Sequence, residues 1–143
     1  MTDEQEEKDG TLWKGRGRIL LMDDEEFVLE VGGELLAYLG FDAVFARDGL
    51  EALNLYQRAL REECPFTAVI MDLTVPGGMG GRETIKRLLE IDPWVKAILS
   101  SGYSNDPVMA NFVEYGFVAV AAKPYKIETL SEILRSICCR EKP

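Results

Sequence analysis

Apolar residues along this chain fall into two kinds of pattern. Five short blocks are apolar almost without interruption: ILLM (19–22), AVFA (43–46), AVIM (68–71), VKAIL (95–99) and FVAVAA (117–122). After each block, apolar residues recur every three or four positions, the spacing of one helix face. Segment 25–39 carries Val28, Val31, Leu35 and Leu39, weakened by Gly32 and Gly33. Segment 49–63 carries Ala52, Leu53, Tyr56 and Leu60 behind Asp48, a natural N-cap. Segment 82–91 carries Ile85, Leu88 and Leu89 and stops before Pro93, while 107–115 opens on Asp106-Pro107 and closes at Gly116. Segment 126–139 carries Ile127, Leu130, Leu134 and Ile137.

Five strand–helix units in strict alternation predict an α/β fold with a parallel sheet covered by helices on both faces. Strands buried on both faces read as continuous apolar runs, as these do. A (βα)₅ chain of this length forms one open, doubly wound domain, and such sheets bind ligands at the carboxyl ends of their strands. No internal repeat or interior linker divides the chain. The opening MTDEQEEKDG is acidic and nearly devoid of apolar side chains. The expectation is a disordered leader over 1–16 and one domain over 17–140, with Trp13 the one leader residue equipped to dock.

Composition narrows the chemistry. With 47% apolar and 29% charged residues the chain is a globular domain, and no apolar run approaches a membrane span. The N-terminus lacks the basic-then-apolar order of a signal peptide, which points to the cytoplasm. A net charge of −9 argues against nucleic acid and favours a cation or a positively charged partner face. Cys64, Cys138 and Cys139 show no CxxC spacing and read as free thiols in a reducing compartment. The absence of histidine excludes His-based acid–base catalysis, His-ligated zinc and a phosphohistidine within this chain.

What the strand ends carry then decides the function. Strand one ends at Asp23 and Asp24, strand three at Asp72, strand four at Ser100 and Ser101, and strand five at Lys123. One aspartate suffices to cap the first helix, so two at that strand end, with Asp72 beside them, suit a hard cation such as Mg²⁺. Asp24 and Asp72 would ligate directly and Asp23 through water. A carboxylate so placed is a nucleophile toward phosphorus, with Lys123 and the Ser100 hydroxyl offsetting charge on the phosphoryl oxygens. Glu25 and Glu26 read more simply as first-turn acids favoured by the helix dipole. PGGMGG (76–81) lacks the Lys-Ser/Thr ending of a phosphate-cradling loop. Val108, Met109 and Phe112 read as core.

The pieces LLMDDEE, ARDGLEAL, VIMDLTVPGGMGG, ILSSGYS and AAKPY, in this order over residues 18 to 139, resemble the receiver domain of two-component response regulators. The resemblance implies a flavodoxin-like sheet of order 2-1-3-4-5 and a phosphorelay function without metabolite turnover. It implies Asp72 as phosphoacceptor, with Asp23, Asp24 and the backbone carbonyl of Thr74 joining it around Mg²⁺. Ser100 matches the switch hydroxyl, Lys123 the invariant lysine, and Lys123-Pro124 a cis peptide. The implied partner is a histidine kinase or a histidine phosphotransfer domain, and segments 107–115 and 126–139 are candidates for self-association and output. Two departures stand out. Val120 occupies the usual switch-aromatic position, which shifts switching to Ser100 and the 101–107 loop. The 76–81 loop is one residue longer than common and resembles receivers attached to hybrid sensor histidine kinases, although a stand-alone regulator also fits.

Three rivals make different demands. A haloacid dehalogenase-type phosphohydrolase needs acidic ligands late in the chain, after the lysine, where only Glu128 follows closely. A flavodoxin-type FMN binder needs a hydroxyl-rich loop after strand one, where four acids would repel phosphate. A degenerate receiver that only binds partners would lack reacting groups that are all present here.

Overall fold

The computed structural model describes residues 12–102 and 106–139. Outside this range lie 1–11 of the expected leader, 103–105 of the 101–107 loop and the expected domain end at 140.

Five strands, β1 (Gly17–Met22), β2 (Phe41–Ala46), β3 (Ala68–Asp72), β4 (Ala97–Ser101) and β5 (Ala119–Ala122), form one parallel sheet in the order β2-β1-β3-β4-β5. The helices between and after them are α1 (Glu26–Tyr38), α2 (Gly49–Arg61), α3 (Gly81–Ile91), α4 (Pro107–Ala110) and α5 (Ile127–Cys138). This is the predicted doubly wound fold in the predicted strand order.

Side chains alternate across a strand, so each apolar block feeds two cores at once. Leu20, Met22, Val69, Met71, Ala97 and Leu99 pack on one face against residues of α2, α3 and α4. Ile19, Leu21, Ala68, Ile70, Ile98 and Ala121 pack on the other against α1 and α5. Register fixes the functional edge: Met22 pairs with Met71, Asp72 with Ser100, and Ser101 with Ala122. The acids, hydroxyls and lysine therefore emerge at one level.

The expected helix over 107–115 is corrected. It is a four-residue α4 followed by a 3-10 turn, Phe112–Tyr115. Asp106 caps the start, its side chain accepting from Val108 N–H at 2.9 Å. Asn111 ends the helix at φ −113° and ψ 32°, with its backbone N–H and its side-chain amide both donating to the Pro107 carbonyl, at 3.0 and 3.1 Å. Gly116 ends the turn at φ 103°, a conformation that L side chains rarely adopt.

Residues 12–16, assigned to the disordered leader, are packed. Trp13 lies 6.2 Å, centroid to centroid, from Phe41. The Trp13 carbonyl accepts from Ser131 of α5 at 3.0 Å, and Gly15 N–H donates to Leu39 O at 2.8 Å. The close approach of Gly15 to Gly40 needs glycine at 40, where φ is +98° and a Cβ would lie 2.2 Å from Gly15 O. A short segment with no periodicity, anchored by Leu12 and Trp13 against the core, thus joins the end of α1 to α5.

Candidate functional site: an acidic pocket at the strand ends

β1 delivers Asp23 fully buried and Asp24 exposed, directly before α1. No side chain caps α1; Asp23 instead accepts from the N–H of Glu25 at 2.9 Å, which fixes the turn into the helix. Its second oxygen accepts from Lys123 Nζ at 3.0 Å. Asp72, at the end of β3 and 6% exposed, accepts from the same ammonium at 3.2 Å. Glu25 stands further off, at 3.9 Å from Nζ. Glu26 is drawn outward into an ion pair with Arg47.

One ammonium is shared by two of the three neighbouring aspartates, Asp23 and Asp72, and the imbalance shows at Asp72. Burial first, and then the charge of Asp23, push the Asp72 carboxyl up to about 6, against the pull of Lys123. Burial disfavours the Lys123 charge, but Asp23 and Asp72 outweigh it and hold the amine above the ordinary lysine range. Carboxylate oxygens of Asp23, Asp24 and Asp72 lie within 4.8 Å of one another. Asp24 and Asp72 line a pocket of about 660 Å³ together with Thr74, Ser101 and Lys123, while Asp23 lies buried behind them.

One hydroxyl expected at this site, that of Ser100, is engaged elsewhere in the structure. Ser100 does not line this pocket. It is fully buried, and its Oγ is hydrogen-bonded to the phenol of Tyr125 at 2.7 Å. Ser100 pairs in register with Asp72, on the α1/α5 side of the sheet, where the Tyr125 ring covers it. Ser101 stands one residue further up the strand and reaches the pocket rim. The signal for this was Tyr125 itself, since a buried phenol needs a hydrogen-bonding partner. The remaining predicted residues, Asp23, Asp24, Asp72, Thr74 and Lys123, are brought together, and Lys123-Pro124 is cis.

The chain belongs to the response regulator receiver domain family, whose model matches residues 19–135. That family defines a phosphoacceptor module of two-component signalling. Over 118 residues the chain is 27% identical to Sporulation initiation phosphotransferase F of Bacillus subtilis, covering 82% of this chain and 90% of that one. It is likewise 27% identical over 126 residues to Sensor kinase CckA of Brucella abortus, covering 86% of this chain but 13% of the kinase. A CheY-like response regulator receiver domain from Methylobacillus flagellatus shares the fold at TM-score 0.72 and 29% identity, covering 86% of this chain and 99% of that one. The chain spans half or less of some other curated relatives, 50% of one and 16% of another.

Receiver domains bind Mg²⁺ at an acidic pocket, and the donor set here fits such an ion. Three carboxylates, no imidazole or thiolate, and a surplus of negative charge that one lysine leaves uncompensated suit a hard dication. Among the described residues no helix is long and apolar enough to cross a membrane.

Proposed function

We propose that Asp72 accepts a phosphoryl group from a phosphohistidine carried by a histidine kinase or a histidine phosphotransfer domain. These 143 residues contain no histidine, so the donor imidazole comes from outside them, on a partner or on another domain of the same protein. A carboxylate oxygen of Asp72 bonds to phosphorus while the partner's P–N bond breaks. The electron pair stays on the imidazole nitrogen, which takes up a proton from water.

Lys123 supplies a fixed positive charge within 3.2 Å of the attacking carboxylate, where charge on the phosphoryl oxygens needs compensation. Asp23, Asp24, Asp72 and the Thr74 carbonyl would hold Mg²⁺, which when bound neutralises the acids and the phosphoryl oxygens. Ser101, not Ser100, is the hydroxyl on the pocket side and takes the switch role. Water later attacks the phosphorus and returns the carboxylate and inorganic phosphate. The domain thus takes part in its own modification without turning over a metabolite.

The observation that carries this reading is the convergence of Asp72 and Lys123 beside Asp23 at one strand edge. It extends to a receiver over 17–140 working in the cytoplasm, alone or within a hybrid kinase, through protein contacts and not through nucleic acid. Segments 107–115 and 126–139 are its proposed output and self-association surfaces. Incubation with acetyl phosphate and Mg²⁺ should add one phosphoryl group by mass, absent in Asp72→Asn. An unlabelled wild-type chain, under conditions that label another receiver, would overturn the reading.

A further inference from the structure

We propose that Tyr125 is a positioning residue for phosphoryl transfer, its phenol anchored on Ser100 so that Lys123 is held against Asp72. The inference rests on the assignment of Asp72 as phosphoacceptor, and the starting point is how little else restrains the loop that carries the lysine.

Lys123 lies beyond the end of β5 at Ala122, and α5 begins only at Ile127. No side chain caps that helix. Among the described residues, and apart from the ion pairs of the ammonium itself, two hydrogen bonds tie the loop to the sheet. Lys123 N–H donates to Ser101 O at 3.0 Å, and the Tyr125 phenol is bonded to Ser100 Oγ at 2.7 Å. Both land on adjacent residues at the end of β4, one from each side of Pro124. The backbone bond fixes where the lysine leaves the strand. The phenol bond fixes the loop two residues on, so the Lys123 side chain departs from a segment, 123–125, tied to β4 at both ends.

The surroundings keep that second pin rigid. Tyr125 is 9% exposed and belongs to the α1/α5 core. Helix α1 closes over its ring at Gly32, where a Cβ would lie 3.3 Å from a Tyr125 ring carbon and 2.6 Å from Leu21. The ring therefore has a fixed seat, and the hydroxyl chooses Ser100 as its partner within it. Position 120, at the other face of β5, carries Val120 packed against the opposite core. Tyr125 and the exposed Phe27 are the aromatic residues that line the pocket, and Tyr125 is the one tied to the strand carrying Ser101.

The predicted consequence is selective. Loss of the bond loosens Lys123 without touching Asp23, Asp24 or Asp72, so the rate falls while metal affinity holds. Tyr125→Phe and Ser100→Ala each remove one hydroxyl and orphan the other in a buried place; the double variant removes both and leaves no orphan. With acetyl phosphate and saturating Mg²⁺, each single variant should lose about tenfold in maximal labelling rate, with Mg²⁺ affinity by calorimetry within about twofold of wild type. The double variant should regain its thermal midpoint yet label as slowly as either single variant. A double variant that recovers its rate along with its midpoint would reduce the pair to a structural role and overturn the proposal. So would single variants that label at the wild-type rate. Failure of wild type itself to label strikes the Asp72 assignment instead, which keeps the two readings separable.

Discussion

The ammonium of Lys123 stands 3.2 Å from a carboxylate oxygen of Asp72, a residue 51 positions earlier in the chain. The same nitrogen neutralises Asp23, which is wholly buried. One side chain therefore does two jobs: it stabilises the resting pocket and faces the carboxylate proposed to react.

Lys123→Ala separates those jobs. Removing the ammonium paired with the fully buried Asp23 carboxylate costs about 3 kcal/mol in metal-free protein. Mg²⁺ should restore most of that loss, since the dication supplies the missing positive charge. Thermal unfolding with EDTA and then with Mg²⁺ should show a large deficit that shrinks on metal addition, while labelling by acetyl phosphate stays depressed throughout. A labelling rate equal to wild type would remove Lys123 from the reacting set.

Asp24→Ala should behave in the opposite way. Asp24 is exposed, so its loss should change stability by no more than about 0.5 kcal/mol. It is nonetheless one of the three carboxylates whose oxygens meet within 4.8 Å. Calorimetric titration should show Mg²⁺ affinity falling by about tenfold or more. Unchanged affinity would take Asp24 out of the ligand set.

Much of this site could be read from spacing because strand ends in a doubly wound sheet meet at one edge. Asp23, Asp72 and Lys123 each follow directly on an apolar block, with Asp24 next to Asp23, so their convergence needs only the strand order. What could not be read depends on contacts between distant elements. Ser100 and Ser101 look alike in sequence, and the Tyr125 phenol, 25 residues on, tells them apart. Gly32 and Gly33 look like weak points in α1, yet a Cβ at either would lie 2.6 or 2.7 Å from Leu21 or Phe45. They allow α1 to seat closely on the sheet. The short α4 ends where the backbone at Asn111 leaves helical geometry, at φ −113° and ψ 32°, a turn that apolar periodicity does not encode.

Asp72 should make the metal-free protein less stable as pH rises. Its folded-state carboxyl is pushed up to about 6 from an ordinary 3.8. Between these values the folded chain binds more protons than the unfolded chain, so stability from this group is present below pH 4 and lost as pH rises through 6. Asp72→Asn cannot ionise and should escape the loss. In EDTA the variant should melt above wild type at pH 7.5 by an amount on the order of 1–3 kcal/mol, and the gap should close toward pH 4. Equal midpoints at pH 7.5 would mean that the pocket tolerates its surplus charge without cost.

The packed arm at 12–16 yields the last prediction, one independent of phosphoryl chemistry. Trp13 covers Phe41, a residue of the α1/α5 core that is 2% exposed, and its carbonyl accepts the only hydrogen bond described for the buried Ser131 hydroxyl. A chain begun at Gly17 should therefore lose more than the apolar contact of one ring, because Ser131 and the Leu39 carbonyl lose their partners too. We expect about 3 kcal/mol for that truncation and about 2 kcal/mol for Trp13→Ala, which keeps the backbone bonds. Trp94, 54% exposed between α3 and β4, serves as the control, and Trp94→Ala should cost less than about 0.5 kcal/mol. Urea unfolding of the three variants would rank them. A truncated chain as stable as wild type would make the arm a passenger, and amide exchange in α5 should then be unaltered as well.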